Sequence, residues 1–286
     1  MPRSRSVDGF ELAYDDTPGT KSVVLLHGWP GDRSDFREVV PRLPNGVRAI
    51  VPDLRGFGAS DKHAEPASTA YSAAAQARSV LGLMDELGID SAVLAGYDIG
   101  SRVAQTIAQT SPQRVQAVVL SPPLPGVGQR VLTPEAHREY WYQAFHQLDL
   151  VEELIDGDAT AVRAYLTHFW THWSGESFTL PDADLEHLVE VYSPPGAFIA
   201  SIGWYRAGSG TVARSMAEVA PTPGDRIHTP TTVLWPDSDP LFPLSWSDRV
   251  DAFFTDITVR RLGHTGHYTP LEAPAAFAAA IASAAT

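Results

Sequence analysis

The chain has 286 residues, no cysteine and a formal net charge of −13. This length allows one large α/β domain or a core with an inserted lid. The acidic balance argues against binding to nucleic acid or to an anionic membrane surface, and the absence of cysteine excludes disulfides and thiol nucleophiles. The basic N-terminus leads into no apolar run, so we expect no signal peptide, no membrane span and a cytoplasmic location.

The first part of the chain alternates short apolar runs with turn residues, which is typical of strands in a sheet. Strands are predicted at 10–15, 22–26 and 49–53, and an amphipathic helix at 72–87. The second strand runs into His-Gly-Trp-Pro-Gly at 27–31. We predict a cis bond between Trp29 and Pro30, because a tight turn here must direct the Trp29 amide inward.

The most informative stretch is Gly-Tyr-Asp-Ile-Gly at 96–100. A buried strand is predicted before it, and apolar residues recur at helical spacing after it, so a strand turns into a helix within a few residues. Gly96 and Gly100 leave the room beside the backbone that such a turn needs. This is the pattern of a nucleophile elbow, Gly-x-nucleophile-x-Gly, with Asp98 in place of serine.

Aspartate at the nucleophile position favours attack on saturated carbon. A serine alkylated by an epoxide or alkyl halide becomes an ether that water does not cleave under mild conditions. An alkylated aspartate becomes an ester, and water can attack its carbonyl. Taken alone, Gly-x-Asp-x-Gly is better explained as a loop aspartate in a Gly-rich turn, and it is the rest of the chain that reverses this preference in favour of the catalytic interpretation.

The strand pattern stops after a predicted strand at 117–120. From about 133 to 214 the chain is helical and aromatic, so we expect an inserted helical cap over 122–225, between core segments 1–121 and 226–286. An aromatic cap over a sheet would form a dry pocket for a small ligand. His168 and His172 have the spacing of a zinc-binding pair, but no His-Glu-x-x-His is present. Packing or a polar face is therefore the preferred interpretation, and we expect no metal or organic cofactor.

Two more candidate residues follow the last predicted strands, at 231–235 and 258–262. Asp239 starts an Asp-Pro-Leu-Phe-Pro segment, and His267 lies in the loop after the final strand. Both lie at the strand ends that share an edge of the sheet with the elbow, where sites form in parallel sheets. Asp237 and His264 are the neighbouring alternatives. Along the sequence the candidates therefore come in the order nucleophile, acid and histidine base, which is the order of an α/β hydrolase.

With this order and placement the chain resembles the α/β-hydrolase superfamily, and specifically its epoxide hydrolase branch, over nearly its whole length. The residues that carry the resemblance lie at 27–30, 53–61, 96–100, 234–243 and 266–274. The resemblance implies a mostly parallel sheet flanked by helices, with an inserted cap. The resemblance favours Asp239 as the acid because Pro-Leu-Phe-Pro follows it, as in that family. It favours His267 because Glu272 and Pro274 stand at the family's spacing from it.

The resemblance also implies roles for backbone and cap groups. The N–H groups of Trp29 and Ile99 would form an oxyanion hole. The segment 204–206 looks like the one that carries a ring-opening tyrosine, so Tyr205 would donate to the epoxide oxygen. Candidates for contact with the substrate are Trp141, Tyr142 and Trp29.

A departure from the family lies at the second cap donor, a tyrosine or histidine four residues before a phenylalanine. Counting back from Phe145 gives Trp141, whose indole N–H donates a hydrogen bond but no proton. Tyr142 would serve if the helix register differs. The departure leaves room for dehalogenases with the same elbow, although Ile99 replaces the tryptophan or arginine that haloalkane and haloacetate dehalogenases place after the nucleophile.

We therefore predict an epoxide hydrolase that acts through an aspartyl ester, with a small apolar substrate and water as co-substrate. The alternative within the same chemistry is a dehalogenase acting on a small organohalide or haloacid. The alternative of another class is a non-catalytic ligand-binding protein on the same fold. An intact set of nucleophile, acid and base argues against that last alternative. Homodimer formation is left open.

Overall fold

The computed structural model describes residues 1–209 and 211–286, and one sheet lies at the centre of this part of the chain. Its strands are β1 (Tyr14–Asp16), β2 (Lys21–Leu26), β3 (Val47–Pro52), β4 (Ala92–Gly96), β5 (Val115–Leu120), β6 (Thr231–Pro236) and β7 (Ile257–Leu262). They are ordered β1-β3-β2-β4-β5-β6-β7. Neighbours pair in parallel, except that β1 runs antiparallel to β3. The predicted fold class, a mostly parallel α/β sheet, is confirmed.

The central strands are buried over most of their length, as is typical of a parallel sheet with both faces covered. All residues of β4 are buried, for example. The edge strand β7 is different, since Arg260 and Arg261 are exposed there, and such charges protect a sheet edge from pairing with another chain. The first strand starts later than predicted, at Tyr14, and Phe10 makes only an isolated bridge with Val7.

Helices cover the sheet and fill the long connection between β5 and β6. The α-helices are α1 (Ala67–Ala70), α2 (Ala73–Glu86), α3 (Asp98–Thr110), α4 (Pro134–Glu139), α5 (Trp141–Phe145), α6 (Leu150–Leu154), α7 (Ala159–His172), α8 (Asp182–Tyr192), α9 (Ala197–Ser201), α10 (Gly203–Arg206), α11 (Val212–Met216), α12 (Thr269–Glu272) and α13 (Pro274–Ala284). Short 3-10 helices lie at Arg33–Phe36, Val40–Arg42, Pro112–Arg114, Gly128–Leu132, Pro223–Asp225 and Leu244–Ala252. None of the described helices is long and apolar enough to cross a membrane.

The connection between β5 and β6, called the insertion below, forms helices and turns and no strand in its described residues. The domain limits of 122 and 225 themselves stay a prediction. The insertion contacts the core at the loop after β2. His187 Nε2 lies 2.7 Å from Asp32 Oδ2, and the Tyr192 hydroxyl donates to the carbonyl of Gly31 over 2.8 Å. These contacts place the insertion over the carboxyl ends of the strands, where the predicted site residues lie.

Candidate active site

Asp98 is the first residue of α3 and follows β4 after one intervening residue. Its φ of 49° lies in the left-handed region that side-chain-bearing residues rarely adopt, as a sharp strand-to-helix turn requires. A Cβ on Gly96 would lie 2.6 Å from the carbonyl carbon of Gly100, and one on Gly100 would overlap the carbonyl oxygen of Leu26. The two glycines flanking the aspartate are therefore required by close packing at this turn.

The three residues predicted as nucleophile, acid and base come together at one point. His267 Nδ1 lies 2.9 Å from Asp239 Oδ2, and His267 Nε2 lies 3.4 Å from Asp98 Oδ2. Asp239 Oδ1 accepts the N–H of Leu241 at 2.8 Å, which fixes the orientation of the acid. All three are buried, with exposed fractions of 6% for Asp98, 4% for Asp239 and 1% for His267. This histidine lies between two carboxylates and is shielded from water.

The charge state of His267 follows from these neighbours. Burial lowers the pKa of the imidazole, but the Asp239 carboxylate and then the Asp98 carboxylate outweigh it and raise the pKa to about 10. With both carboxylates ionised, His267 therefore carries a proton at neutral pH. Its ability to act as a base depends on losing one of those two negative charges.

Backbone donors face the other side of the Asp98 carboxylate. The Trp29 N–H donates to Asp98 Oδ1 over 2.7 Å. The bond between Trp29 and Pro30 is cis, which confirms the prediction for this turn. Ile99 lies in the first turn of α3, where backbone N–H groups have no acceptor within the helix. Both backbone groups predicted for an oxyanion hole are thus placed beside the nucleophile.

A cavity of about 60 Å³ lies against Asp98, and tyrosines of the insertion line it. Tyr205, on α10, and Tyr142, on α5, have ring centroids 5.5 Å apart and ring planes at 89°. Burial raises the pKa of Tyr142, and so does the nearby Asp98 carboxylate. Burial, Tyr142 and Asp98 likewise raise the pKa of Tyr205. Both hydroxyls therefore keep their protons and can act as donors.

The structure corrects the place expected for Trp141. Its side chain is 41% exposed, and its ring stacks on Phe169 at 5.9 Å on the outer side of the insertion. Adjacent residues on a helix point about 100° apart, so the register that turns Trp141 outward brings Tyr142 into the cavity. Trp29 reaches the site through its backbone. Its ring stacks parallel to that of Tyr142, and among the described residues it is not one of those lining the cavity.

The alternative acid and base lie apart from this arrangement. Asp237 forms an ion pair with Arg261 at 2.6 Å on the edge of the sheet. His264 is exposed and has a φ of 55° in the turn after β7. Of the two histidines with zinc-ligand spacing, His172 has its Nε2 2.7 Å from a carboxylate oxygen of Glu139 on the surface.

The role of Glu272 was not evident from the sequence, where this residue served only to mark the spacing from His267. The two oxygens of this carboxylate accept three backbone N–H groups. Gly266 donates over 2.6 Å and Tyr268 over 3.0 Å, on either side of His267, and Gly175 of the insertion donates over 2.9 Å. Glu272 therefore holds the loop that carries the base and ties it to the insertion.

Three charged residues that line the same cavity were not evident from the sequence either, namely Arg102, Arg214 and Glu218. Only Arg102 had a local signal in the sequence, since it lies four residues after Asp98 and so on the same face of α3. Arg214 and Glu218 belong to the far end of the insertion. Their approach to Asp98 depends on how the insertion folds over the core.

Comparison with known proteins adds the following. A family model for the alpha/beta hydrolase fold matches residues 21–274. A soluble epoxide hydrolase from Corynebacterium sp. (strain C12) is 26% identical over 276 residues, which is 94% of this chain and 91% of that protein. A Klebsiella pneumoniae structure provisionally assigned as an epoxide hydrolase is 30% identical, with a TM-score of 0.81 over 99% of this chain and 96% of that one.

The same fold also occurs in a protein that carries a different assignment. A Salmonella enterica structure provisionally assigned as an acyltransferase has a TM-score of 0.87 and 25% identity, over 99% of this chain and 93% of that one. Backbone similarity is thus no guide to the reaction, because one fold carries several chemistries. The reaction has to be argued from the side chains around Asp98.

Proposed function

Because the chain belongs to the alpha/beta hydrolase fold family, we propose that it hydrolyses an epoxide to a vicinal diol through an ester formed on Asp98. Relatives named epoxide hydrolase confirm the resemblance to that branch of the family. One observation carries the proposal. Tyr142 and Tyr205 line the same cavity as the carboxylate nucleophile Asp98, so one cavity holds both an attacking group for carbon and proton donors for oxygen.

In the first step an Asp98 oxygen attacks an epoxide carbon. A new carbon–oxygen bond forms as the ring carbon–oxygen bond breaks, and the ring oxygen takes a proton from Tyr205 or Tyr142. Asp98 Oδ1 already accepts the Trp29 N–H, which leaves Oδ2 as the attacking atom. Part of what raises the pKa of both tyrosines is the Asp98 charge. Esterification removes that charge, so both hydroxyls become better acids as the ring opens.

The second step is hydrolysis of the ester. Esterification also removes one of the two charges that raise the pKa of His267. The imidazolium returns a proton to the tyrosine that protonated the ring oxygen and so becomes a base, and Asp239 keeps the ring in place through Nδ1. Water loses a proton to Nε2 and attacks the ester carbonyl. The N–H groups of Trp29 and Ile99 stabilise the resulting oxyanion, an effect worth roughly 3–4 kcal/mol per donor in comparable sites. Collapse of the oxyanion breaks the bond between the ester carbonyl carbon and the product oxygen, which takes the proton from His267 Nε2. The Asp98 carboxyl then returns its proton to His267, which restores the starting charges.

The proposal is tested by following where oxygen goes. In a single turnover in heavy-oxygen water with enzyme in excess, a small aryl epoxide should give unlabelled diol, and the Asp98 peptide should gain the label. Label in the first diol formed would contradict the ester mechanism. A parallel screen of small organohalides for halide release tests dehalogenation. Release of halide without any diol formation would overturn the epoxide assignment and leave the nucleophile assignment intact.

A further inference from the structure

Two cavities meet beside the nucleophile. The inner one, against Asp98, shares four lining residues with an outer cleft of about 510 Å³. We call these four residues, Arg102, Trp204, Arg214 and Glu218, the charged boundary. Because the same side chains line both spaces, a ligand bound at Asp98 and extending toward the outer cleft comes into contact with them.

The charged boundary contains more positive than negative charge. Its two arginines and one glutamate sum to a formal charge of +1, in a chain whose net charge is −13. The Glu218 carboxylate is already engaged, because it accepts the Gly126 N–H over 2.7 Å. In the described part of the chain, neither Arg102 nor Arg214 lies within ion-pair distance of a carboxylate.

The Arg102 guanidinium is partly exposed and makes few hydrogen bonds within the protein. A guanidinium has five N–H donors, and within the described part of the chain Arg102 donates to Gln105 Oε1 over 3.2 Å. Burial lowers the pKa of Arg102, Glu218 raises it and Arg214 lowers it. Arg214 is exposed and Arg102 is partly exposed, so both guanidiniums keep N–H donors that a carboxylate can take over from water.

We propose that the substrate carries a carboxylate, which Arg102 and Arg214 bind while the electrophilic carbon faces Asp98. This inference rests on the proposed function, because it assigns a substrate class to the same cavity. Arg102 lies one helical turn beyond Asp98, or about 5–6 Å along the axis. The carboxylate and the reacting carbon are therefore separated by several atoms, as across a benzene ring. Glu218 limits the site to a single negative charge.

The first test is binding of two unreactive ligands, para-ethylbenzoate and para-ethylbenzamide, followed by tryptophan fluorescence, since Trp204 belongs to the charged boundary. The wild-type protein should bind the carboxylate about tenfold more tightly than the amide. Arg102→Gln and Arg214→Gln should each reduce that ratio severalfold, and Glu218→Gln should increase it. Binding of the amide in each variant reports that the cavity is still folded.

The matched control is Arg163→Gln, which removes an exposed arginine paired with Glu186 on the outside of the insertion. This substitution changes the net charge of the chain by the same amount, and it should leave the ratio unchanged. Equal binding of the two ligands by the wild-type protein would overturn the proposal. A preference for carboxylate that survives both boundary arginine substitutions would do the same.

The second test compares turnover of para-oxiranylbenzoate and para-oxiranylbenzamide. The ratio of their kcat/KM values should be about ten in the wild-type protein and fall toward one in Arg102→Gln. If the amide is opened as efficiently as the carboxylate, the anion site is wrong and the epoxide function stands. If neither epoxide is opened while the carboxylate ligand still binds preferentially, the epoxide function is wrong and the anion site stands.

Discussion

The two regions of the molecule contribute different parts of the site. The core contributes Asp98, Asp239 and His267, which follow strands β4, β6 and β7. The insertion contributes Tyr142 from α5 and Tyr205 from α10, two short helices of five and four residues. In the core, carboxylates are held by individual hydrogen bonds from backbone N–H groups. In the insertion, the tyrosine rings are held mainly by contacts with other aromatic rings.

This difference indicates that the core and the insertion have different roles. Backbone hydrogen bonds have strict distances and angles, so the core fixes the reacting atoms to within a fraction of an ångström. Aromatic contacts tolerate a wider range of offsets, so the insertion can fit different substrates around the same nucleophile. Changes in the core should therefore abolish a chemical step, and changes in the insertion should alter rates and preferences.

The largest effect is expected from His267→Gln, which removes the base and leaves the nucleophile. Ester formation should proceed and hydrolysis should stop, so steady-state turnover should fall by about 10³-fold or more. Mass spectrometry of the Asp98 peptide after incubation with a reactive epoxide should show the mass of the bound substrate.

Asp98→Asn is the control for that experiment, because it should give neither turnover nor adduct. An unmodified Asp98 peptide in His267→Gln would contradict the assignment of Asp98 as nucleophile. It would also contradict the view that the core carries out the chemistry while the insertion adapts to the substrate.

The next effect concerns the two tyrosines. Tyr205→Phe and Tyr142→Phe should each slow ester formation by about 10²-fold, because each removes a donor to the departing ring oxygen. Rapid-quench measurement of a single turnover would report the rate of that step. Trp141→Phe on the same helix is the matched control and should change the rate little. If Trp141→Phe is the slower variant, the helix register described for α5 is wrong.

A smaller effect is expected at Glu272, which joins the two regions. Glu272→Gln replaces one carboxylate oxygen by an amide NH₂, which cannot accept the backbone N–H groups held there. We expect a loss of about 1–3 kcal/mol in the free energy of unfolding, measured by urea denaturation, together with a fall in kcat. Glu190→Gln, at an exposed position on α8, should change neither quantity. Unchanged kcat in Glu272→Gln would show that the base loop keeps its place without this contact.

The smallest effect is expected where α8 meets the core. The hydrogen bond to Asp32 raises the pKa of His187. Burial acts to raise the pKa of Asp32, but bonds to His187 and Ser34 outweigh it and lower the pKa. The histidine contribution is complete below its unfolded pKa of about 6.5, and the aspartate contribution is complete above about 3.9. The pair should therefore stabilise the fold most between about pH 4 and 6.5.

His187→Gln should consequently lower the free energy of unfolding by about 0.5–1 kcal/mol near pH 5.5 and by less near pH 8.5. Asp184→Asn removes the ion pair with Arg37 across the same contact. This pair contains no histidine, so its loss should be the same at both pH values. A His187→Gln effect that does not change with pH would show that packing, and not the charge of the imidazole, stabilises this contact.

The core half of the site was predictable because its signals are local. A tight strand-to-helix turn requires the glycines around Asp98, and strand ends in a parallel sheet share one edge. The helical and aromatic character of the insertion was predictable, but the side chains that face the cavity were not. A helix as short as α5 gives no periodic pattern that would separate Trp141 from Tyr142. Arg214 and Glu218 were missed because their approach to Asp98 is set by the folding of a segment distant in sequence.

Glu272 also has a mechanical consequence. It accepts the Gly175 N–H, and the His267 N–H donates to the Trp173 carbonyl over 2.8 Å, so this edge of the insertion is fastened to the base loop. Lifting that edge to admit a substrate would pull His267 away from Asp98. The outer cleft is lined by neither the base loop nor this edge of the insertion, so a substrate that enters from the cleft leaves these contacts in place. The catalytic residues then stay assembled between turnovers, and no reassembly step delays the next reaction.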